Sequence, residues 1–150
     1  MIRELKETDT DQIMKIWLDT NIKAHHFIDS SYWLKSHVTV EKVLPQATVY
    51  VYDSNGQIQG FLGLNGDYIE GIFVDADYQS KGIGRELLCY AKERHNKLHL
   101  NVYKRNEKAA AFYLREGFVV STEQIAEDTK ERELTMVWNP LETENSTAFK

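Results

Sequence analysis

The sequence holds one cysteine, two prolines and no apolar run near the roughly 18–20 residues that a membrane-spanning helix needs. With a single thiol, Cys89, no intrachain disulfide can form, and a reducing, cytoplasmic location is expected. The surrounding LLCYA reads as a buried helix face, so Cys89 is expected to be a small core side chain rather than a nucleophile. Positive charge is scarce as well: 18 Lys and Arg stand against 23 Asp and Glu, for a net charge of -5. Nucleic-acid binding needs a basic face that releases counterions, so no such partner is expected, and an acidic surface suits an amine-bearing partner better. The opening residues MIRELKETD carry no apolar signal core, so neither secretion nor membrane attachment is expected. His25 and His26 lack further Cys or His at zinc-like spacing, which argues against a metal site.

What is present suits one domain, expected over residues 1–140 with a flexible polar tail at 141–150. Residues 2–5 form a short strand candidate, and Asp9 with Gln12 resembles a capping box ahead of Ile13, Ile16, Trp17 and Thr20 at helical spacing. The segment NIKAHHFIDSSYW has no clean period; its His25, Phe27, Tyr32 and Trp33 form either a hydrophobic plug or a substrate-binding wall. Ser30 or Ser31 is expected to cap a second helix that ends near Pro45. Residues 48–52, 57–64 and 68–74 then alternate as an antiparallel meander, with turn chemistry at DSNG and NGD. Gly71 within the third strand predicts a bulge or a close backbone approach. A helix carrying Ile83, Leu87, Leu88 and Ala91 on one face follows, then a strand at 98–102 and a helix capped by Asn106 and stopped by Gly117. Strands at 118–120 and 134–138 close the chain, joined by a charged connection at 121–133. This order predicts a mixed α/β or α+β sheet rather than a regular βαβ series.

The most informative stretch is YIEGIFVDADYQSKGIGRE, in which two glycines one residue apart open a helix. Unpaired N–H groups and the positive end of the peptide dipoles make a helix start an anion site, and glycines let a phosphate approach the main chain. Gln79, Lys81 and Arg85 surround the turn. A dinucleotide fingerprint would need glycine where Leu87 stands, and a Walker A loop would need Lys followed by Ser or Thr where Arg85 and Glu86 stand. Both readings fail.

FVDADYQSKGIGRELL and NEKAAAFYLREGF together resemble the two motifs of the GNAT superfamily of acetyl-CoA-dependent N-acetyltransferases: the Q/R-x-x-G-x-G/A turn and the later Asn helix with its Tyr-x-x-x-Gly-Phe ending. The resemblance extends over most of residues 1–138 and is nearest to small single-domain bacterial members. It implies a mostly antiparallel sheet of about six or seven strands with about four helices, and transfer of acetyl from acetyl-CoA to a lysine side chain, a protein N-terminus or a small amine, by direct attack in a ternary complex. By the same resemblance, the backbone of Ile72, Phe73 and Val74 pairs with the pantetheine arm. Gln79, Ser80, Lys81, Gly82, Ile83, Gly84 and Arg85 hold the pyrophosphate, and Asn106 and Tyr113 lie near the thioester.

For the chemistry, a backbone N–H near Phe73 is the expected oxyanion donor and Tyr113 the general acid. Relatives can carry a glutamate base where this chain has Asn101, so Glu70 is the substitute base, with an exposed strand carboxylate as the alternative. His25, Phe27, Tyr32 and Trp33 are the acceptor-side candidates, and a monomer or homodimer is expected. The alternative to an enzyme is a non-catalytic acetyl-CoA sensor or interaction domain.

Overall fold

In the computed structural model, which describes residues 1–140, the chain runs β1 (Ile2–Glu4), α1 (Thr10–Ala24), α2 (Ser30–Val43), β2 (Thr48–Ser54), β3 (Gln57–Asn65), β4 (Tyr68–Val74), α3 (Ile83–Lys92), β5 (Leu98–Tyr103), α4 (Glu107–Arg115), β6 (Val119–Ile125) and β7 (Arg132–Trp138). The tail expected at 141–150 lies outside the described residues. The strands form one seven-stranded sheet in the order β1-β2-β3-β4-β5-β7-β6. Every neighbouring pair is antiparallel except β4 with β5.

Alternation along the strands sorts apolar side chains into two cores. Tyr50, Leu62, Leu64, Ile69, Leu98, Leu100 and Val102 face α3 and α4, where Ile83, Leu87, Leu88, Ala91 and Tyr113 meet them. Val49, Val51, Ile58 and Phe61 face the opposite way, onto Ile13, Ile16 and Trp17 of α1 and Trp33 of α2. Leu87 and Leu88 are fully buried, so truncating Leu87 to Ala removes about 2–5 kcal/mol of stability. Past β4 the second core reaches only Tyr103, at the end of β5. His99 and Asn101 on β5 point to the same side but are exposed, so half of the sheet keeps one face open.

Two irregularities position the site. Between β3 and β4 the register slips, with Gly63 opposite Gly71 and Leu64 opposite Ile69, which leaves Glu70 as the extra residue of a bulge. The bulge shifts the alternation, so Ile69 and Ile72, three apart, both meet the α3 side. A Cβ on Gly71 would lie 2.4 Å from the Phe73 ring, so glycine there leaves space for that ring, which stacks on Phe61 with centroids 4.9 Å apart. Beyond the bulge, β4 leaves β5: their pairing is limited to Tyr68 with His99 and Ile69 with Leu100.

Several local expectations are corrected. Asp9 makes no side-chain cap on α1. Its carboxylate is drawn to Arg3, at 2.8 and 3.0 Å, and to the Lys6 N–H at 2.8 Å, and the Arg3 contact holds its pKa below the usual carboxylate range. Gln12 instead accepts from the Ile58 N–H at 2.9 Å and ties α1 to the sheet. Asp29, not Ser30 or Ser31, caps α2 by accepting from the Ser31 N–H at 2.9 Å. Cys89 is exposed, because the buried face of α3 passes through residues 83, 87, 88 and 91 and position 89 falls outside it. Residues 121–133 are not one long connection: β6 continues to Ile125 and pairs with β7, held partly by Glu123, which takes Lys104 at 3.0 Å and Arg132 at 3.1 Å.

Candidate active site

The separation of β4 from β5 opens a slot in the sheet, lined by the outer edge of β4 and the start of α3. Backbone groups alternate in direction along a strand, and the Asp75 N–H is bonded to Gln59 O on β3 at 2.9 Å. Phe73 therefore faces β3 with its backbone, and Ile72 and Val74 present theirs to the slot. Of the three residues expected on the pantetheine arm, two have main-chain groups aimed at it. The Val74 carbonyl already accepts from Gln79 Nε2 at 3.0 Å, so Gln79 ties the loop to the strand end.

The glycine turn is built from left-handed conformations at Ser80 (φ 64°) and Gly82 (φ 88°), which turn successive N–H groups outward. The Glu86 N–H to Gly82 O bond, at 3.0 Å, is the first of α3, so the N–H groups of Ile83, Gly84 and Arg85 precede the helical ladder. No side chain caps them. Lys81 is exposed beside the Tyr78 ring, 5.6 Å from its centroid, and Arg85 is exposed with a 3.5 Å contact to Glu116. A Cβ on Gly84 would sit 3.7–3.8 Å from Phe112, Ile72 and Val74, which is ordinary contact. The protein itself therefore does not demand glycine at 84. These features fit a diphosphate seated against the main chain.

Tyr113 is buried between Phe112 (5.3 Å) and Phe118 (5.5 Å), and burial pushes its phenol pKa up, with Tyr68 adding to the shift. It carries its proton throughout the neutral range. Glu70 stands exposed at the mouth of the slot, yet its carboxyl is partly withdrawn from water and its pKa is raised for that reason.

Asn106 is used at both ends. Its Oδ1 accepts from the Ala109 N–H at 3.3 Å and caps α4, and its Nδ2 lies 3.1 Å from His25 Nε2. Because the cap fixes the amide, His25 Nε2 is the acceptor and the proton sits on Nδ1. Burial pulls the His25 pKa down to about 4, the Asn21 backbone opposing weakly. Asn106 is thereby the link between α4 and the aromatic segment. There His25 stacks on Trp33 (5.1 Å), Tyr32 meets Trp33 edge-on (4.8 Å), and Phe27 lies beneath the Arg105 guanidinium (4.7 Å). All four acceptor-side candidates thus come together. Sequence reasoning missed three of their partners. Tyr103 packs on both His25 and Phe27, Arg105 covers Phe27, and Asp128 in the β6–β7 connection accepts from the Tyr32 hydroxyl. Only Tyr103 left a signal, since the alternation of LHLNVY sets it on one face with His99 and Asn101. Among the described residues no three His, Cys, Asp or Glu side chains gather as a metal site, and no helix is long and apolar enough to cross a membrane.

A sheet that splits between β4 and β5, with an uncapped helix start at the glycine turn beside the opening, is the arrangement expected of an acyl-CoA-dependent transferase fold. A family model described as Acetyltransferase (GNAT) domain matches residues 45–120, and the chain belongs to that family. It is 30% identical over 145 residues to the peptidyl-lysine N-acetyltransferase YiaC of Escherichia coli, covering 95% of this chain and 99% of that one. The solution structure of apo YjaB from Escherichia coli superposes with a TM-score of 0.82 at 27% identity, covering 92% of this chain and 96% of that one. An acetyltransferase of Bacillus anthracis solved in complex with acetyl coenzyme A matches over 62% of each chain, with a TM-score of 0.57 and 25% identity. The protein is an N-acetyltransferase that takes its acetyl group from acetyl-CoA and delivers it to an amine-bearing acceptor.

Proposed function

We propose that this protein acetylates lysine side chains of other proteins, with acetyl-CoA and the acceptor bound together and the amine attacking the thioester directly. The observation that carries the reading is the early parting of β4 from β5. It leaves the unpaired β4 edge on the cofactor side and an open, half-uncovered sheet face on the other, so a long amine-tipped side chain can reach the reacting carbon. The peptidyl-lysine activity named for YiaC supports the choice of acceptor.

Acetyl-CoA supplies the activated acetyl group. Ile72 and Val74 pair with its pantetheine arm as an added strand would, and a slot-facing N–H of this edge steadies the developing oxyanion. The turn from Ser80 to Arg85 holds the pyrophosphate through N–H groups and the Lys81 and Arg85 cations, with Gln79 fixing the turn against Val74. Tyr113 protonates the departing thiolate and Glu70 takes the proton of the amine. His25, Phe27, Tyr32 and Trp33 wall the acceptor side, with Asn106 anchoring His25. Residues 1–140 act as one cytoplasmic acyltransferase domain, as a monomer or homodimer.

The test is an acceptor panel with acetyl-CoA: a lysine peptide with a blocked N-terminus, a lysine-free peptide with a free N-terminus, and a small diamine. Thiol release and a mass gain of one acetyl group are read for each. The lysine peptide should be preferred. Preference for either of the others would discard the lysine assignment, and no thiol release with any acceptor would discard transfer itself.

A further inference from the structure

The sheet face that α1 and α2 leave open is poor in positive charge. Strands β5 and β6 carry no Lys or Arg, and β7 carries only Arg132. Along β7, Met136 is buried in the core beneath α3 and α4, and Leu134 and Trp138 pack against it, so Glu133, Thr135 and Val137 point to the open face. By the same alternation Arg132 points away, to Glu123 at 3.1 Å. Glu133 stands opposite Tyr103 of β5 on one side and Gln124 of β6 on the other. Tyr103 packs on His25 and Phe27, with ring centroids 5.1 and 5.8 Å apart, so this carboxylate lies beside the acceptor-side wall.

Glu133 is held in place without a cation. Gln124 donates from Nε2 to Glu133 Oε1 at 3.2 Å and to Thr135 Oγ1 at 2.9 Å, and its Oε1 accepts from the Thr122 hydroxyl at 2.9 Å. A carboxylate only accepts, so the amide nitrogen of Gln124 must be the end that faces Glu133. Thr135 continues the line to Asn101 on β5, with Oγ1 and Oδ1 2.7 Å apart. The neighbouring carboxylates are treated differently. Glu123 takes both Lys104 and Arg132, and Glu131 takes Arg105 at 3.3 Å. Among the described residues no Lys, Arg or His forms an ion pair with Glu133. A carboxylate positioned by a neutral amide keeps its charge for a partner outside the chain.

The geometry points to Glu133 as a specificity-determining residue that recognises a second cation on the acceptor, a Lys or Arg two residues from the lysine that is acetylated. This rests on the lysine reading given above. Glu133 is one strand beyond β5, which borders the slot, so at about 4.8 Å per strand its carboxylate stands roughly 7–10 Å from the opening. In an extended peptide, residues two apart share one face and lie about 6.6–6.8 Å apart. With the lysine in the slot and the peptide laid across β5 toward β7, the side chain two positions away comes down on Glu133, and its immediate neighbour points to solvent. The net charge of -5 favours the approach of such a basic segment.

The experiment uses end-blocked peptides with a single lysine and Arg, Ala or Glu two positions to either side. For the wild-type protein, kcat/KM should be about fivefold higher with Arg than with Ala on one side of the lysine, and lowest with Glu. The preference should shrink as salt is raised. Glu133→Gln keeps an acceptor oxygen for Gln124 and should bring the Arg-to-Ala ratio close to unity. Glu133→Lys should invert the order and favour the Glu peptide over the Arg peptide, which a merely structural role would not do. An acetyl-CoA-induced thermal shift in each variant verifies folding, and if Glu133→Lys fails that control Glu133→Gln decides alone. A wild-type ratio near unity, or a ratio that persists in Glu133→Gln, would overturn the inference while leaving lysine acetylation intact. If none of these lysine peptides is acetylated while another amine releases thiol, the lysine reading falls and this inference falls with it.

Discussion

The two sides of the slot are made of different material. The proposed cofactor side is main chain, from residues 72–85 in one stretch: the outward groups of Ile72 and Val74 and the N–H groups at the start of α3. The proposed acceptor side is side chains from four places: His25 to Trp33 between and on the first two helices, Tyr103 at the end of β5, Asn106 at the cap of α4, and Asp128, whose partner Tyr32 is 96 residues away in sequence. A main-chain cradle can serve any acyl-CoA enzyme of this fold, because it depends on φ/ψ and strand direction rather than on side-chain identity. A side-chain face can change its acceptor by substitutions that leave the cradle alone. Damage on one side should therefore move one substrate's constants and not the other's.

The largest break in that separation is expected where both sides meet. Tyr113→Phe deletes one hydroxyl in a buried site and should lower kcat by about 10²–10⁴-fold while acetyl-CoA binding, followed by calorimetry, stays nearly unchanged. Unchanged turnover would remove Tyr113 from the chemistry. Next in size is Glu70→Gln, expected to lower kcat by about 10²-fold near neutral pH. The sign of its pH dependence follows from burial, which raises the Glu70 pKa above the ordinary carboxylate value. The active form is deprotonated, so activity is complete above that raised pKa and is lost as pH falls through it. The acid limb of the kcat/KM profile should vanish in the variant, and a limb that persists would assign the base elsewhere.

How much of this was legible in the sequence follows the same division. The turn at 79–85, the Asn106 cap and the Gly117 stop (φ 93°) depend on local spacing and appear where the sequence puts them. The bulge announced by Gly71 is present too, with Glu70 as its extra residue. Asp9 has a capping pattern, but the Arg3 guanidinium outbids the helix end for its carboxylate. Strand β6 lacks visible alternation because its side chains are almost all exposed, so Glu123 pairs with Lys104 and Arg132 in water instead of marking a buried face. The Gln124 to Asn101 line was likewise unreadable, since it exists only once β6, β7 and β5 lie side by side.

Gly84→Ala sharpens the comparison from the cofactor side. The added methyl would meet protein atoms only at ordinary distances, and Ala is favoured over Gly in a helix by roughly 0.5–1 kcal/mol, so the thermal midpoint should hold or rise slightly. The methyl instead occupies the approach to the N–H groups of the first turn of α3. The KM for acetyl-CoA should rise about tenfold, equivalent to roughly 1.4 kcal/mol of binding, while the acceptor KM stays put. A variant that binds acetyl-CoA normally would move the diphosphate away from this turn.

The smallest effect tests the opposite wall. The Tyr32 hydroxyl donates to Asp128 and so joins the start of α2 to the β6–β7 connection across the acceptor face. Tyr32→Phe keeps the ring against Trp33, at 4.8 Å in the native protein, and removes this link together with the Tyr32 hydroxyl's contact to Tyr103. An exposed hydrogen bond contributes on the order of 1 kcal/mol, so the thermal midpoint should drop by no more than about 2–4 °C. If the link holds the two segments at the spacing the acceptor needs, its KM should rise by a factor of about 2–5 at an unchanged KM for acetyl-CoA, a change on the order of 0.4–1 kcal/mol. Asp128→Asn, which keeps an acceptor oxygen for the same phenol, should fall between wild type and Tyr32→Phe. Equal rises in both Michaelis constants would mean that the two sides of the slot are one mechanical unit, and the division between main-chain cradle and side-chain wall would fail.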